Sequence, residues 1–236
     1  MGVAVPHPTP KPRTRKHRSA EAAEGERRGR RRYRKSTQTR ARLLEAAKRV
    51  FEHDGFLRAR ISDIAKQAGL SHGSFYNYFD SKEEIFRGVA GAMQENFGAH
   101  SVDSRLLGSL SGASLRKWFL ESSRRYLDEY QKEARIMGVI EQVSRYDDAV
   151  RAARLARREP YFDRGKAAIR SLQRMGLADK RLDPSIVLLA LTAMITRFAE
   201  MWFVQGEVKC SFEHGAEQIA ILFMNALLSK DATEAL

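Results

Sequence analysis

The sequence has a single cysteine, Cys210, which excludes an internal disulfide and a zinc site built from several cysteines. No apolar run reaches the roughly 18–20 residues that a membrane span needs. The N-terminus is rich in proline and arginine and lacks the apolar stretch typical of a secretory signal. We therefore expect a cytoplasmic protein that has no membrane partner.

Patterns of catalytic and cofactor sites are also missing. The six histidines show no spacing of the metal-ligand type, and no glycine-rich phosphate loop or nucleophile elbow is present. The adjacent acids Asp147 and Asp148 do not face each other on a helix. The sequence therefore predicts no enzyme activity, no cofactor and no metal site.

Positive charge is abundant, but it is unevenly placed. The 236 residues include 42 Lys and Arg against 29 Asp and Glu, which gives a formal net charge of +13. Residues 1–35 hold 12 basic and 3 acidic residues, a net charge of +9, so the rest of the chain carries 13 − 9 = +4. Four of the six prolines lie in this segment, and no large aliphatic residue follows Val5. This composition predicts a disordered basic arm, which either aids solubility or adds contacts to nucleic-acid phosphates.

From Ser36 onward, apolar residues recur at helical spacing and no alternation typical of strands persists. We expect an all-α fold of about nine helices. Their expected ranges are 37–54, 61–68, 72–78, 81–100, two helices within 114–146, 147–175, 183–205 and 211–229. Pro160 should kink or split the helix over 147–175, because proline removes one backbone donor.

Residues 61–79 have the organisation of a helix-turn-helix. Gly69 permits the turn and Ser71 can cap the second helix, while Phe75 and Phe79 anchor that helix at a spacing of four residues. In such a motif the second helix enters the major groove of DNA. Its first turn contains only small or polar residues, which let the backbone approach the groove: Ser71, His72, Gly73 and Ser74.

The segment from Ile61 to Phe86 reads ISDIAKQAGLSHGSFYNYFDSKEEIF and closely resembles the DNA-binding signature of TetR-family transcriptional regulators. The resemblance spans roughly residues 38–90. It implies a homodimer that binds a palindromic operator on double-stranded DNA. The implied domains are a helix-turn-helix domain at 36–83 and a C-terminal helical domain for ligand binding and dimerisation at 84–230, with a C-terminal tail at 231–236.

The resemblance also implies which residues lie at the duplex. Base contacts would come mainly from His72, Gly73 and Tyr76, and phosphate contacts from Asn77, Tyr78 and Lys82. Ser71 and Ser74 would lie close by. The family often has threonine as the cap before the Ile-x-Asp-Ile-Ala helix, where this chain has Arg60. Arginine cannot cap but can reach a phosphate, and Ser62 is an alternative cap that would start the helix two residues later.

The two C-terminal helices are unusually apolar. The helix from Asp183 is apolar nearly all round, and the helix over 211–229 has a broad apolar stripe. Such helices are buried on several sides. We expect them to form a homodimer through a four-helix bundle; the alternative is that both are internal core helices.

The candidate ligand pocket is a weaker inference, because each candidate residue is equally suited to core packing. Aromatic residues and methionines suit an adaptable apolar site. The candidates are Trp118, Tyr126, Met137, Ile140, Tyr161, Leu172, Met194, Phe198 and Trp202. Arg197, inside an apolar helix, needs a partner. The arginines along 151–174 form either a solvated face or an attraction for an anionic ligand.

Three functions remain open from the sequence. The first is a repressor that a small, mostly apolar effector releases from its operator, with the helix over 81–100 as the lever. The second is a non-specific nucleic-acid-binding protein in which the basic arm dominates, and the third is a helical enzyme or carrier. Preference for one DNA sequence separates the first from the second, and turnover of a bound compound would identify the third.

Overall fold

The computed structural model describes residues 15–99 and 112–229, and the side chains within 33–97 and 114–229. These ranges contain nine α-helices, one π-helical segment and no strand apart from an isolated bridge between Ala178 and Leu228. The helices are α1 Arg15–Arg58, α2 Ile61–Gln67, α3 His72–Phe75, α4 Lys82–Ala99, α5 Gly112–Lys132, α6 Ala134–Ser144, α7 Asp148–Arg174, α8 Pro184–Ala199 and α9 Phe212–Leu227, and the π segment is Glu200–Val204. The expected all-α class is confirmed.

Helix α1 begins earlier than the sequence pattern indicates. We expected a disordered arm over 1–35, but residues 15–35 are helical, and residues 1–14 lie outside the described part of the chain. The segment from Arg15 is rich in alanine, glutamate and arginine, which are strong helix formers even without a core to pack against. At its other end α1 is interrupted by Gly55, whose φ of 71° ends regular helix geometry where the sequence predicted a stop.

The chain divides into two compact units, one up to Leu43 and one from Leu44 onward. The first unit contains the N-terminal part of α1, where the hydroxyls of Thr37 and Thr39 donate to carbonyls four residues earlier. In the second unit α4 packs against α7, and α5 packs against α9. Its C-terminal core includes the apolar residues Leu115, Phe119, Ala168, Ile169, Leu172, Val187, Ala220, Met224, Leu227 and Leu228.

Helix α7 runs through Pro160 without a break, so of the two expected effects, a kink or a split, the split does not occur. Proline costs the helix one backbone hydrogen bond, but tertiary packing of α7 against α4 and α8 holds its two halves together. The start of α8 agrees with the sequence. Asp183 accepts hydrogen bonds from the backbone N–H groups of Ser185 and Ile186, and Pro184 occupies the first helical turn.

Residues Pro184–Val204, which form α8 and the π segment, are long and apolar enough to cross a membrane by length and composition, and only 22% of this stretch is buried. The sequence expectation that no segment reaches this threshold is therefore corrected. Length and composition do not separate a membrane span from a helix that packs against another subunit. The exposed apolar surface is the feature that needs an explanation.

Candidate nucleic-acid interface and cavity

Helix α2 starts without a side-chain cap. Arg60 occupies the cap position with extended backbone geometry, and its side chain makes no capping hydrogen bond. The helix nevertheless begins at Ile61, so the alternative start with Ser62 as cap is wrong. Burial of Ile64 and Ala65 stabilises the helix instead.

The turn after α2 depends on Gly69, whose φ is 66°. The N–H of Leu70 donates to the carbonyl of Ala65 at 2.9 Å, and the N–H of Gly69 donates to that of Lys66 at 3.0 Å. This pair of bonds is the Schellman arrangement, in which a left-handed residue satisfies the last carbonyls of a helix. The turn fixes the direction in which the next helix leaves.

Helix α3 is capped by Ser71, whose hydroxyl accepts a hydrogen bond from the N–H of Ser74 at 3.2 Å. The two serine hydroxyls are also 2.7 Å apart. Regular α-helix ends at Phe75, shorter than the predicted range of 72–78, and residues 76–78 continue as turns.

The candidate DNA-facing residues lie on the exposed side of this short helix. Phe75 and Phe79 are buried, and their rings pack 5.9 Å apart, which anchors the segment to the core. Tyr76 is 47% exposed, and its ring contacts the edge of His72 at 5.4 Å. The exposed members of the predicted set are Arg60, Ser71, His72, Gly73, Tyr76 and Asn77, and the half-buried members are Ser74, Tyr78 and Lys82.

Gly73 has no role in the packing of the chain. A Cβ atom built on it would meet nothing within 4 Å, and its φ is not in the left-handed region. Neither the turn nor the core therefore requires glycine here. The small size of Gly73 leaves the surface of α3 open to close approach by another molecule.

Lys82 is held by the loop before α2. Its ammonium group donates to the carbonyls of Leu57 and Ala59, both at 3.2 Å, and lies 4.8 Å from the centre of the Phe56 ring. A long flexible side chain can exchange these contacts for a phosphate. The sequence did not indicate this internal role, because Leu57 and Ala59 are more than 20 residues away.

Residues 43–89 match the model of the bacterial regulatory proteins of the tetR family. Over these residues the chain is similar to the TetR family of bacterial regulatory proteins. YdgC, an uncharacterised helix-turn-helix-type transcriptional regulator of Bacillus subtilis (strain 168), is 50% identical over 52 residues, which are 22% of this chain and 27% of YdgC. The match thus spans about a quarter of that relative's length.

Solved structures extend the similarity of fold to most of the chain. A TetR-family transcriptional regulator from Mesorhizobium loti has a TM-score of 0.67 at 17% identity, with 82% of this chain and 98% of that chain covered. SmeT, the repressor of the Stenotrophomonas maltophilia multidrug efflux pump SmeDEF, has a TM-score of 0.60 at 19% identity, with coverages of 82% and 92%. At these identities the likeness concerns the fold of the C-terminal helices and not their ligands.

A cavity of about 410 Å³ lies among the helices of the TetR-type C-terminal part. This volume is in the range of sites for small molecules. Five of the nine predicted pocket residues line it: Trp118, Tyr126, Met137, Tyr161 and Leu172. Residues that sequence reasoning did not place there include Gln94, Phe97, Ser123, Phe162 and Leu188, whereas Arg154 and Arg158 belong to the arginines for which an anionic ligand was one alternative.

The other four predicted pocket residues do not line this cavity. Ile140 is fully buried in α6, and Met194 is half-buried on α8 outside the face that lines the cavity. Phe198 and Trp202 pack together with ring centres 5.3 Å apart, and Trp202 lies directly on Gly215. Apolar residues at helical spacing are expected to face the interior, but the spacing does not show which neighbouring helix they contact.

Two polar pairs form part of the cavity wall. The hydroxyls of Tyr126 and Thr196 are 2.9 Å apart, and burial raises the pKa of Tyr126 to about 12 despite that hydrogen bond, so its hydroxyl is neutral at physiological pH. Arg154 donates to Glu141 at 2.6 Å and to the hydroxyl of Ser144 at 3.1 Å. The remaining wall is mainly apolar.

Helices α4 and α7 both line the cavity and contact each other beside it. Arg154 and Arg158 line the cavity, while Arg157, on the same helix, forms an ion pair with Glu95 of α4. Its side chain also lies against Gly91, where an added Cβ would be 3.6 Å away. Since α4 begins directly after the helix-turn-helix, these contacts join the cavity wall to the element that carries the candidate DNA-facing surface.

Arg197 has the partner that its position requires. It forms an ion pair with Glu200 at 2.8 Å, and Arg145 reaches the same carboxylate at 3.3 Å. Glu200 is buried at the start of the π segment and accepts a further hydrogen bond from Gln205 at 3.1 Å. Arg197 is itself exposed, so it pairs with Glu200 from the surface and does not line the cavity.

Proposed function

We propose that this protein is a sequence-specific DNA-binding transcriptional regulator of the cytoplasm, in which α3 and the turn after it read the major groove. The observation that carries the proposal is the surface of residues 71–77, which is exposed and polar while Phe75 anchors it from behind. Gly73 allows the backbone to approach base edges, and Asn77 and Tyr78 can donate to phosphates. This surface lies within the segment that matches the TetR family.

Replacement of Tyr76 by alanine tests this assignment. Genomic footprinting first identifies the bound sequence, and fluorescence anisotropy then compares that duplex with a scrambled one. We expect Tyr76→Ala to lose the preference of wild type for its site, which should be on the order of 10³-fold. Tyr146→Ala is the matched control, because Tyr146 is 59% exposed in the connection between α6 and α7. Retained preference in Tyr76→Ala would contradict the assignment.

We also propose a homodimer formed through α8 and α9. Both helices keep apolar side chains in solvent: Ile186 is 71% exposed on α8, Leu189 is nearly half exposed, and Leu222 is 49% exposed on α9. Large apolar side chains exposed on both helices favour an interface with another protein copy. Two-fold symmetry would present two copies of α3 to successive major grooves, about 34–36 Å apart, which corresponds to a palindromic operator.

The cavity is proposed as the effector site of a repressor. A small, mostly apolar molecule bound among α4, α5, α7 and α8 would shift α7, and the Arg157–Glu95 ion pair would transmit that shift to α4. A change in the direction of α4 alters the separation of the two reading helices and weakens operator binding. SmeT, whose fold is similar, is described as a repressor, which supports the direction of this response.

The basic segment within residues 1–35 supplies affinity without sequence information in this scheme. Its net charge of +9 predicts phosphate contacts and a steep dependence of binding on salt. The alternative of a non-specific nucleic-acid-binding protein is not favoured, because the family match lies at 43–89, outside this arm.

A further inference from the structure

Arg158 is the unpaired charge of the cavity wall. Three charged side chains line the cavity, and two of them, Glu141 and Arg154, neutralise each other at 2.6 Å. Within the described ranges 15–99 and 112–229, no carboxylate pairs with Arg158, and its buried Nε atom has no hydrogen-bond acceptor. The wall therefore keeps one uncompensated positive charge.

The surroundings of Arg158 increase the need for a partner. Its guanidinium lies 4.1 Å from the centre of the Phe162 ring, and the wall nearby is mainly apolar. The Phe162 ring offers the Arg158 cation a π face, but it supplies neither a hydrogen-bond acceptor nor a negative charge, so a partly buried guanidinium without a counter-charge remains costly. The hydroxyl of Ser123 also faces the cavity region buried and without a partner, so a second donor is available.

We propose that the cavity binds a small monocarboxylic acid with an apolar body, and that the carboxylate accepts hydrogen bonds from Arg158. The planar guanidinium matches a carboxylate in geometry as well as in charge. A single negative charge balances the wall, whereas a second would face the carboxylate of Glu141. A cationic ligand would meet the free charge of Arg158, and a neutral ligand would leave it unsatisfied.

The apolar body of the acid has a matching surface. The apolar lining includes Phe97 of α4, Trp118 of α5, Ile169 of α7, Leu188 of α8 and Phe223 of α9. These side chains remove an aliphatic or aryl group from water, which supplies affinity, while Arg158 supplies selectivity for the acid. That the acid acts as an effector rests on the proposed function. That the acid binds in the cavity does not depend on the proposed function.

Calorimetric titration of the full-length protein with octanoate and with its neutral isostere octanamide tests the proposal. We expect octanoate to bind roughly tenfold more tightly or better, because the amide lacks the negative charge and replaces one of the two acceptor oxygens of the carboxylate with an NH2 donor. In Arg158→Gln the two ligands should bind within about twofold of each other. Arg170→Gln is the matched control: it removes an exposed arginine of the same helix that does not line the cavity, and should keep the wild-type ratio.

Two results would overturn the proposal: equal affinity of the wild type for both ligands, or an unchanged ratio in Arg158→Gln. The unfolding temperature of Arg158→Met provides an independent check. We expect it to equal or exceed that of the ligand-free wild type, because the substitution removes an unpaired cation; a clear decrease would mean that Arg158 already has a partner. Operator binding is measured separately without ligand, so its failure would count against the proposed function and not against the site.

Discussion

At the scale of single residues, the side chains of the candidate DNA-facing surface, residues 71–77, divide into those that stabilise the fold and those that are free to contact DNA. Phe75 and Phe79 are buried and hold α3 in place, whereas Tyr76 is close to half exposed and contacts only neighbouring rings. Gly73 contributes open space, because among the described residues no atom lies within 4 Å of where its Cβ would be. Neither the exposed ring of Tyr76 nor the small size of Gly73 is needed for folding, so we attribute both to binding.

The substitution Gly73→Ala separates these two contributions. We expect the free energy of unfolding to stay the same or rise by up to about 1 kcal/mol, because alanine favours helix over glycine and its Cβ meets no neighbour. Operator affinity should fall at least tenfold, because the methyl group occupies the space needed for close approach of the duplex. Urea unfolding and fluorescence anisotropy measure the two effects, and unchanged affinity would show that Gly73 does not approach the DNA.

Tyr126 predicts a loss of stability at alkaline pH. Burial raises its pKa to about 12, above the value near 10 of an unfolded chain, so its contribution to folding is complete below pH 10 and is lost as pH rises through 12. The slope should approach about 1.4 kcal/mol per pH unit between these values. Urea unfolding at pH 7, 10 and 11 compares Tyr126→Phe with the wild type. At pH 7 the free energy of unfolding should be about 1 kcal/mol lower in Tyr126→Phe, because the hydrogen bond to Thr196 is lost. Between pH 10 and 11 the free energy of unfolding should fall less steeply in Tyr126→Phe than in the wild type. Equal declines in both proteins would contradict the assignment.

At the scale of secondary-structure elements, helix ends decide the geometry of the candidate site. Ser71, Ser81 and Asp183 each accept a hydrogen bond from a backbone N–H in the first turn of α3, α4 and α8, as their sequence positions predict. Gly69 closes α2 in the same predictable way. The start of α2 differs, because Arg60 leaves its first N–H groups without a side-chain acceptor.

Arg60→Thr should therefore stabilise the protein by about 0.5–2 kcal/mol, because a threonine hydroxyl can accept a hydrogen bond at the start of α2. Chemical denaturation followed by circular dichroism measures this gain. Arg60→Ala is the matched control, since it removes the same positive charge without adding a cap, and should give no comparable gain. A similar increase in both variants would attribute the effect to charge.

At the scale of the whole molecule, the exposed apolar residues of α8 and α9 would be in contact with solvent in a monomer and covered in a dimer. Leu222 is the better probe of this surface than Phe223, because Phe223 also lines the cavity and packs against the core. A charge at Leu222 should act on association and leave the fold intact.

We expect Leu222→Glu to convert a dimer into a folded monomer, because two-fold symmetry would bring two buried charges into one interface. Light scattering coupled to gel filtration measures the mass, and circular dichroism measures the fold. Leu155→Glu is the control, because Leu155 is exposed to a similar extent, 46%, on α7. A dimer that persists in Leu222→Glu would place the interface elsewhere.

The sequence by itself determined the helical class, the position of the helix-turn-helix and the residues of its exposed surface, because helical spacing, caps and turn glycines act over only a few neighbouring residues. The unbroken path of α7 through Pro160 and the membership of the cavity wall were decided by the tertiary structure. Met194 and Leu188 are both large apolar residues of α8, yet only Leu188 lines the cavity. Arg154 and Arg158 differ only because Glu141 reaches one of them and not the other. Such differences depend on packing between helices distant in sequence, and they give Arg158 its role.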